Sequence, residues 1–151
     1  MTSREVYVDP SALSRLYLHQ AGSRAMAAWR ANVSGALAVT HHGRTEIINA
    51  ICRSAFLGQL NEKGLIGTLA DFNGDFAAGH LHQADILWRA ALNLAGELSR
   101  MHTPTLGTRS SDVLHVACAV ELKSRYFLTS DIRQQQLAAA AGLRNIRLEL
   151  D

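Results

Sequence analysis

The sequence predicts an α/β protein built on a mostly parallel sheet with helices on both faces. Short apolar runs of strand length alternate along the chain with longer segments of helical period. Two of those runs, Val6-Tyr-Val and Tyr126-Phe-Leu, feed directly into Asp9-Pro-Ser11 and Thr129-Ser-Asp131. In such sheets ligands bind outside the carboxyl ends of the strands, where both aspartates fall.

The elements follow in order. Val6–Val8 reads as the first strand. Pro10 suits the first turn of a helix, predicted to run from Ser11 to about Gln20. A second helix is expected from about Ser23 to Asn32. Gly35 breaks it, and Ala36–Thr40 reads as a strand. From Arg44 to about Leu57 the residues Ile47, Ile48, Ile51 and Ala55 repeat on one face, as a core-facing helix requires. Further helices are expected from Asn61 to about Ala78 and from Asp85 to about Met101, with a short strand around His80–His82. Thr103–Gly107, which contains Pro104, reads as a loop. Ser110 opens a helix to about Lys123 that is apolar nearly all round and should be buried. Tyr126–Leu128 is the next strand. Ile132–Ala141 is a helix stopped by Gly142, and Ile146–Leu148 is the last strand. The sheet should therefore hold four to five strands.

With 151 residues, a single domain over 1–151 is expected. A chain of this size buries roughly two-thirds of the surface its unfolded form exposes, so it needs no staples. A hydrophobic content of 48% with 19% charged residues is ordinary for a globular protein. The net charge of +2 permits an anionic partner but is no clustered polyanion footprint. Only Cys52 and Cys118 occur, both in helical apolar contexts, so a disulfide framework is not expected. No apolar run has the length of a signal peptide or membrane span, which points to a cytoplasmic protein with no membrane partner.

Each acidic candidate has two readings. Asp9 and Asp131 each precede a helix and would serve as N-caps, or as walls of one crevice. Asp112 lies in the first turn of the apolar helix. It would complement the helix dipole there, yet a carboxylate held near the core also needs partners or a metal. Glu46 lies off the Ile47/Ile48/Ile51 stripe, as a solvated glutamate would, but close to a helix start just after a strand.

"VYVDPSAL", "TEIINAI", "SSDVLHVACA" and "YFLTSDIRQQQLAAAAGL" resemble, in order and spacing, the motifs of PIN-domain ribonucleases. The likeness is strongest to VapC-type toxins of bacterial toxin–antitoxin pairs, and it spans Val6 to about Arg147. The resemblance implies a PIN-like three-layer α/β/α fold and hydrolysis of RNA to 5′-phosphate and 3′-hydroxyl ends. The family's acidic residues fall on Asp9, Glu46, Asp112 and Asp131. Asp9 and Asp112 would hold the principal metal, with Glu46 and Asp131 completing its surroundings or orienting water. Ser11 and Thr129 match the family's hydroxyls and would hydrogen-bond behind the ligands. The sequence departs from the family at Thr40-His-His-Gly-Arg-Thr-Glu46, where two histidines replace the usual small, polar or apolar residues.

The chemistry agrees with that likeness. Converging carboxylates repel one another unless a cation intervenes, and their oxygens favour Mg²⁺ or Mn²⁺. Such an ion acidifies a bound water and neutralises a phosphodiester; two about 4 Å apart would clamp both reacting oxygens. Arg15, Arg44, Arg109 and Arg133 lie near the motif junctions and could contact RNA phosphates or remain solvated. His115 shares a face with Asp112 and reads better as a hydrogen-bonded core or edge histidine than as a ligand. His80 and His82 would chelate only with a third ligand. His41 and His42, if on a strand, would point apart.

A toxin implies a cognate small antitoxin and, as in the family, a homodimer. Two other functions compete with the nuclease. One is a catalytically inactive PIN-fold interaction module, against which four intact acidic positions argue. The other is a phosphoaspartyl phosphatase with Asp9 as nucleophile, but Ser11 stands where that class carries a second Asp. No Gly-rich dinucleotide loop is present.

Overall fold

In the computed structural model, which describes residues 1–148, two parallel sheets lie among seven helices. Strands β1 (Val6–Val8), β4 (Tyr126–Leu128) and β5 (Arg144–Ile146) form one sheet in the order β1-β4-β5. Strands β2 (Leu37–Thr40) and β3 (Leu81–Ala84) form the other. Register pairs Val8 with Leu128, Leu128 with Ile146, and Thr40 with Ala84. The last three residues of the expected domain lie outside the described residues.

The expected single sheet of four to five strands is thus divided three and two. The two sheets meet at one bridge, Thr2 to Ser34, where the Ser3 amide donates to the Ser34 carbonyl at 2.9 Å. A 3₁₀ turn over Ser3–Glu5 separates Thr2 from β1, and Gly35, at φ +92°, separates Ser34 from β2. The ladder is broken on both sides of the bridge, so it does not continue.

Side-chain alternation along β1 and β4 gives their sheet two buried faces. Val6, Val8 and Leu128 pack with Leu13, Met26, Ile47, Ile51 and Phe72 on one face. Tyr7 and Phe127 point to the other and stack with centroids 5.6 Å apart, among Ala91, Val116, Ala117 and Leu137. The first face is covered by α1 (Pro10–Leu13), α2 (Ser23–Ala31), α3 (His41–Phe56) and α4 (Glu62–Ala77). The second is covered by α5 (Trp88–Leu106), α6 (Ser110–Glu121) and α7 (Ile132–Ala140). The apolar helix α6 is buried as expected, its residues Val116 to Ala119 having no exposed surface.

Several boundaries differ from the expectation, each for a local reason. Helix α1 stops at Leu13 and becomes a 3₁₀ turn over Ser14–Leu16, because the Ser14 hydroxyl donates to the Ser11 carbonyl and competes with the helix. Helix α3 begins at His41 rather than Arg44, because Thr40 caps it by accepting from the Gly43 amide at 3.0 Å. The short strand near His80 runs Leu81–Ala84, and α5 follows it from Trp88. Pro104 does not open a loop; α5 runs through it to Leu106, and Gly107 ends it in the left-handed region with its amide on the Thr103 carbonyl. After α7 the amides of Gly142 and Leu143 return to the carbonyls of Ala139 and Ala138, so β5 begins at Arg144, two residues early. Cys118 is buried on α6, whereas Cys52 is exposed on α3. No helix among the described residues is long and apolar enough to cross a membrane.

Candidate active site

Asp9 leaves the carboxyl end of β1 and is only 4% exposed. Pairing of its amide with the Leu128 carbonyl at 2.9 Å fixes its place at the strand end. Its Oδ2 caps α1, accepting from the Ser11 amide at 3.2 Å and from the Ser11 hydroxyl. Its Oδ1 accepts from Nε2 of Gln134 at 3.1 Å. Both oxygens are held, so the carboxylate has one orientation.

Asp131 follows β4 and caps α7, its Oδ1 accepting from the Arg133 and Gln134 amides at 2.8 and 3.1 Å. Thr129, buried at 4%, accepts from the Asp131 amide at 3.2 Å and donates to Oε1 of Gln134 at 2.7 Å. The capping readings of Asp9 and Asp131 are therefore realised, and both still sit beside the same third carboxylate.

That carboxylate is Asp112, in the first turn of α6. Burial pushes its carboxyl above the usual range; the negative charges of Asp9 and then Asp131 push it the same way, while His115 and Arg109 pull it back. Among the described residues nothing hydrogen-bonds or ion-pairs the Asp112 side chain. Its backbone carbonyl accepts from Gln134 Nε2 at 3.2 Å, so one amide ties α6 to Asp9. Asp112 and Asp131 line one groove with Arg109 and Arg133.

Glu46 stands apart from these three. From the second turn of α3 it accepts from the Ser111 hydroxyl, meets His42 Nε2 at 2.7 Å one turn earlier, and meets His115 Nε2 at 2.9 Å. Burial raises its carboxyl, but the bond and charge of His115, with Ser111 and His42, outweigh that and lower it. Burial lowers the His115 imidazole, but the bond to Glu46 and the charges of Asp9, Glu46 and Asp112 raise it. The other nitrogen of His115, Nδ1, meets the Tyr7 hydroxyl at 2.7 Å. His115 is thus the hydrogen-bonded core histidine expected. The expected convergence of four carboxylates is corrected: three gather, Asp9 and Asp131 beside Asp112, and Glu46 is drawn off by two imidazoles. His41 and His42 are on a helix rather than a strand, which turns His42 along α3 towards Glu46.

The remaining candidates separate clearly. Ser11 serves Asp9, and Thr129 serves Asp131 and Gln134. Arg109 and Arg133 flank the acidic groove, and Arg133 also reaches the Gly107 carbonyl at 3.5 Å. Arg15 lines grooves with Ser11 and Thr129, and its Nε is buried without a hydrogen-bond partner among the described residues. Arg44 is engaged elsewhere, bonding Gln83 and Asn73 and lying 4.2 Å over the Phe76 ring, so it does not face the acidic groove.

Gln134 and Tyr7 are site residues that the sequence did not single out, and His42 is one it placed on a strand. Gln134 carried a signal: with Leu137 and Ala138 it falls on the buried face of α7, where an amide requires polar partners. No protein-family model matches the chain, and no curated protein matches it significantly.

The donor set around Asp112 suits a hard cation. It offers only carboxylate oxygens, one pair of them on a half-buried side chain with no partner among the described residues, in a setting where negative charges oppose ionisation. Among the described residues, however, the only three His, Cys, Asp or Glu side chains whose ligand atoms all lie within 4.8 Å of one another are His42, Glu46 and His115. Capping accounts for the difference: Asp9 and Asp131 each aim an oxygen at backbone amides.

Proposed function

We propose that the chain is a metal-dependent endoribonuclease similar to PIN-domain toxins, acting on RNA phosphodiesters. One observation carries the reading: the Asp112 carboxylate, unpartnered among the described residues and held half-buried in the first turn of α6 between the charges of Asp9 and Asp131. The strand ends supply two of these acids, which is where a parallel α/β protein builds a ligand site. In this reading the two sheets act as one twisted layer in the order β3-β2-β1-β4-β5, the centre of a PIN-like three-layer α/β/α fold. The shared packing of Val6 and Val8 with Leu37 and Val39 supports it.

Asp9 and Asp112 would hold Mg²⁺ or Mn²⁺. The ion would supply charge neutralisation at the phosphodiester and acidify the attacking water. The protein's own part is positional. Gln134 fixes Asp9 against the start of α6, and Ser11 and Thr129 keep Asp9 and Asp131 aimed. Arg109 and Arg133 at the groove rim would hold the RNA phosphates. Glu46, tied to His115, would act on the charge of the site rather than as a ligand of that ion.

The toxin role extends the same proposal: a cytoplasmic homodimer neutralised by a small antitoxin that places an Arg or Lys among the acids. A phosphoaspartyl route is disfavoured by Ser11, which stands where that class carries a second Asp and whose hydroxyl is spent on Asp9. An inactive interaction module would leave Asp112 only the task of a charge in the first turn of α6, at the cost of its crowding by Asp9 and Asp131. The test is digestion of total RNA with Mn²⁺, Mg²⁺ or EDTA, with the product ends typed. Cation-dependent products with 5′-phosphates, absent for Asp112→Asn, support the reading. Equal digestion by that variant, or none by the folded wild type with its antitoxin removed, refutes it.

A further inference from the structure

We propose that His42, Glu46 and His115 form a second cation site, distinct from the acidic groove and selective for a first-row transition ion such as Zn²⁺. Their ligand atoms already lie within 4.8 Å of one another. His42 Nε2 and His115 Nε2 both meet the carboxylate, at 2.7 and 2.9 Å from separate oxygens. Two imidazoles and one carboxylate suit zinc or its neighbours, whereas Mg²⁺ prefers an all-oxygen shell.

The surroundings are those of a supported site. His115 is 1% exposed, and its Nδ1 bonds Tyr7 at 2.7 Å, so the ring cannot rotate. In the metal-free state Nε2 shares a proton with Glu46; an entering cation would displace that proton, and Nδ1 would then donate to Tyr7, the second-nitrogen bond by which ligating histidines are commonly oriented. Ser111 bonds Glu46 and lies 3.1 Å from His42 Nε2, bracing the other two ligands. His42 and Glu46 are about one-third exposed, at 34% and 33%, which leaves an entry path and room for water as a further ligand. The spacing His42 to Glu46, four residues on one helix, sets two ligands on one face, and α6 brings the third across the core.

The test uses the full chain stripped with EDTA and titrated with Co²⁺, whose visible absorption reports nitrogen-containing coordination, and then with Zn²⁺ as competitor. Wild type should take up one Co²⁺ with a visible band that Zn²⁺ displaces and excess Mg²⁺ does not. Asp112→Asn should retain the band. His42→Ala, whose side chain is partly exposed and whose melting curve in EDTA verifies folding, should bind at least about tenfold more weakly. Absence of a band in wild type overturns the site and reduces the cluster to a hydrogen-bonded network. A band that survives His42→Ala but is lost in Asp112→Asn overturns it too, since the ion then sits in the acidic groove. The nuclease reading stands or falls separately, on Mg²⁺- or Mn²⁺-dependent RNA cleavage.

Discussion

Gln134 and Asp9, 125 residues apart in sequence, are joined by a buried hydrogen bond of 3.1 Å from the side-chain amide to Oδ1. The same amide reaches the Asp112 carbonyl, and its oxygen accepts from Thr129. One side chain therefore connects β1, α6 and the end of β4. Gln134→Ala should cost about 1–3 kcal/mol, because it strands buried partners. It should also lower RNA cleavage by freeing Asp9 to rotate. Chemical denaturation and an RNA digest check both; wild-type stability would show that the bridge carries no weight.

Asp112→Asn separates charge from folding. The native carboxyl titrates above its unfolded counterpart, so the folded state binds more protons than the unfolded state in that interval, and ionisation opposes folding above it. In EDTA at neutral pH the Asn variant should therefore melt at or above the wild-type temperature. The difference should vanish once pH falls below the usual carboxyl value of 3.8. Added Mn²⁺ should reverse the order, since only wild type gains a ligand bound to the native state. Melting curves in the three conditions decide it.

The Glu46–His115 pair makes a second pH prediction, for metal-free protein. His115 is raised from 6.5, so its contribution is complete below 6.5 and disappears as pH rises through its folded value. Glu46 is lowered from 4.5, so its contribution is complete above 4.5 and disappears as pH falls through its folded value. The stability difference between wild type and Glu46→Gln should peak between those two values and shrink on either side. A difference independent of pH would contradict the ion pair.

Gly35 tests the junction of the sheets. It sits at φ +92°, and a Cβ there would stand 2.5 Å from Ser3 Oγ, beside the single Thr2–Ser34 bridge. Gly35→Ala should destabilise by about 1–3 kcal/mol through backbone strain and that clash. A thermal melt reads the loss directly.

Much of this was legible in the sequence because it rests on local pattern. The strand-then-Asp junctions placed Asp9 and Asp131, and the all-apolar body of α6 foretold its burial. Where the reading failed, a partner distant in sequence or a single side-chain bond decided the outcome. Thr40 caps α3 three residues early, and Ser14 ends α1. The fate of Glu46 depends on His115, 69 residues away, and its wheel position could not reveal that. The split sheet turns on Gly35 and a 3₁₀ turn, both of which lie outside the predicted strands Val6–Val8 and Ala36–Thr40 and so carried no signal of how those strands pair.

The most direct test of the nuclease account is the rate of Mn²⁺-dependent RNA cleavage by wild type, Asp9→Asn and Asp112→Asn, measured on samples shown to be folded by their melting curves in EDTA. Asn remains a good N-cap at position 9, so that variant keeps its helix start while losing the charge. The account predicts that both variants fold and that each loses cleavage by orders of magnitude, because charge and position at the cation site enter the barrier together. Folded variants that cut at near wild-type rates would contradict it and leave Asp9 a helix cap and Asp112 a dipole charge.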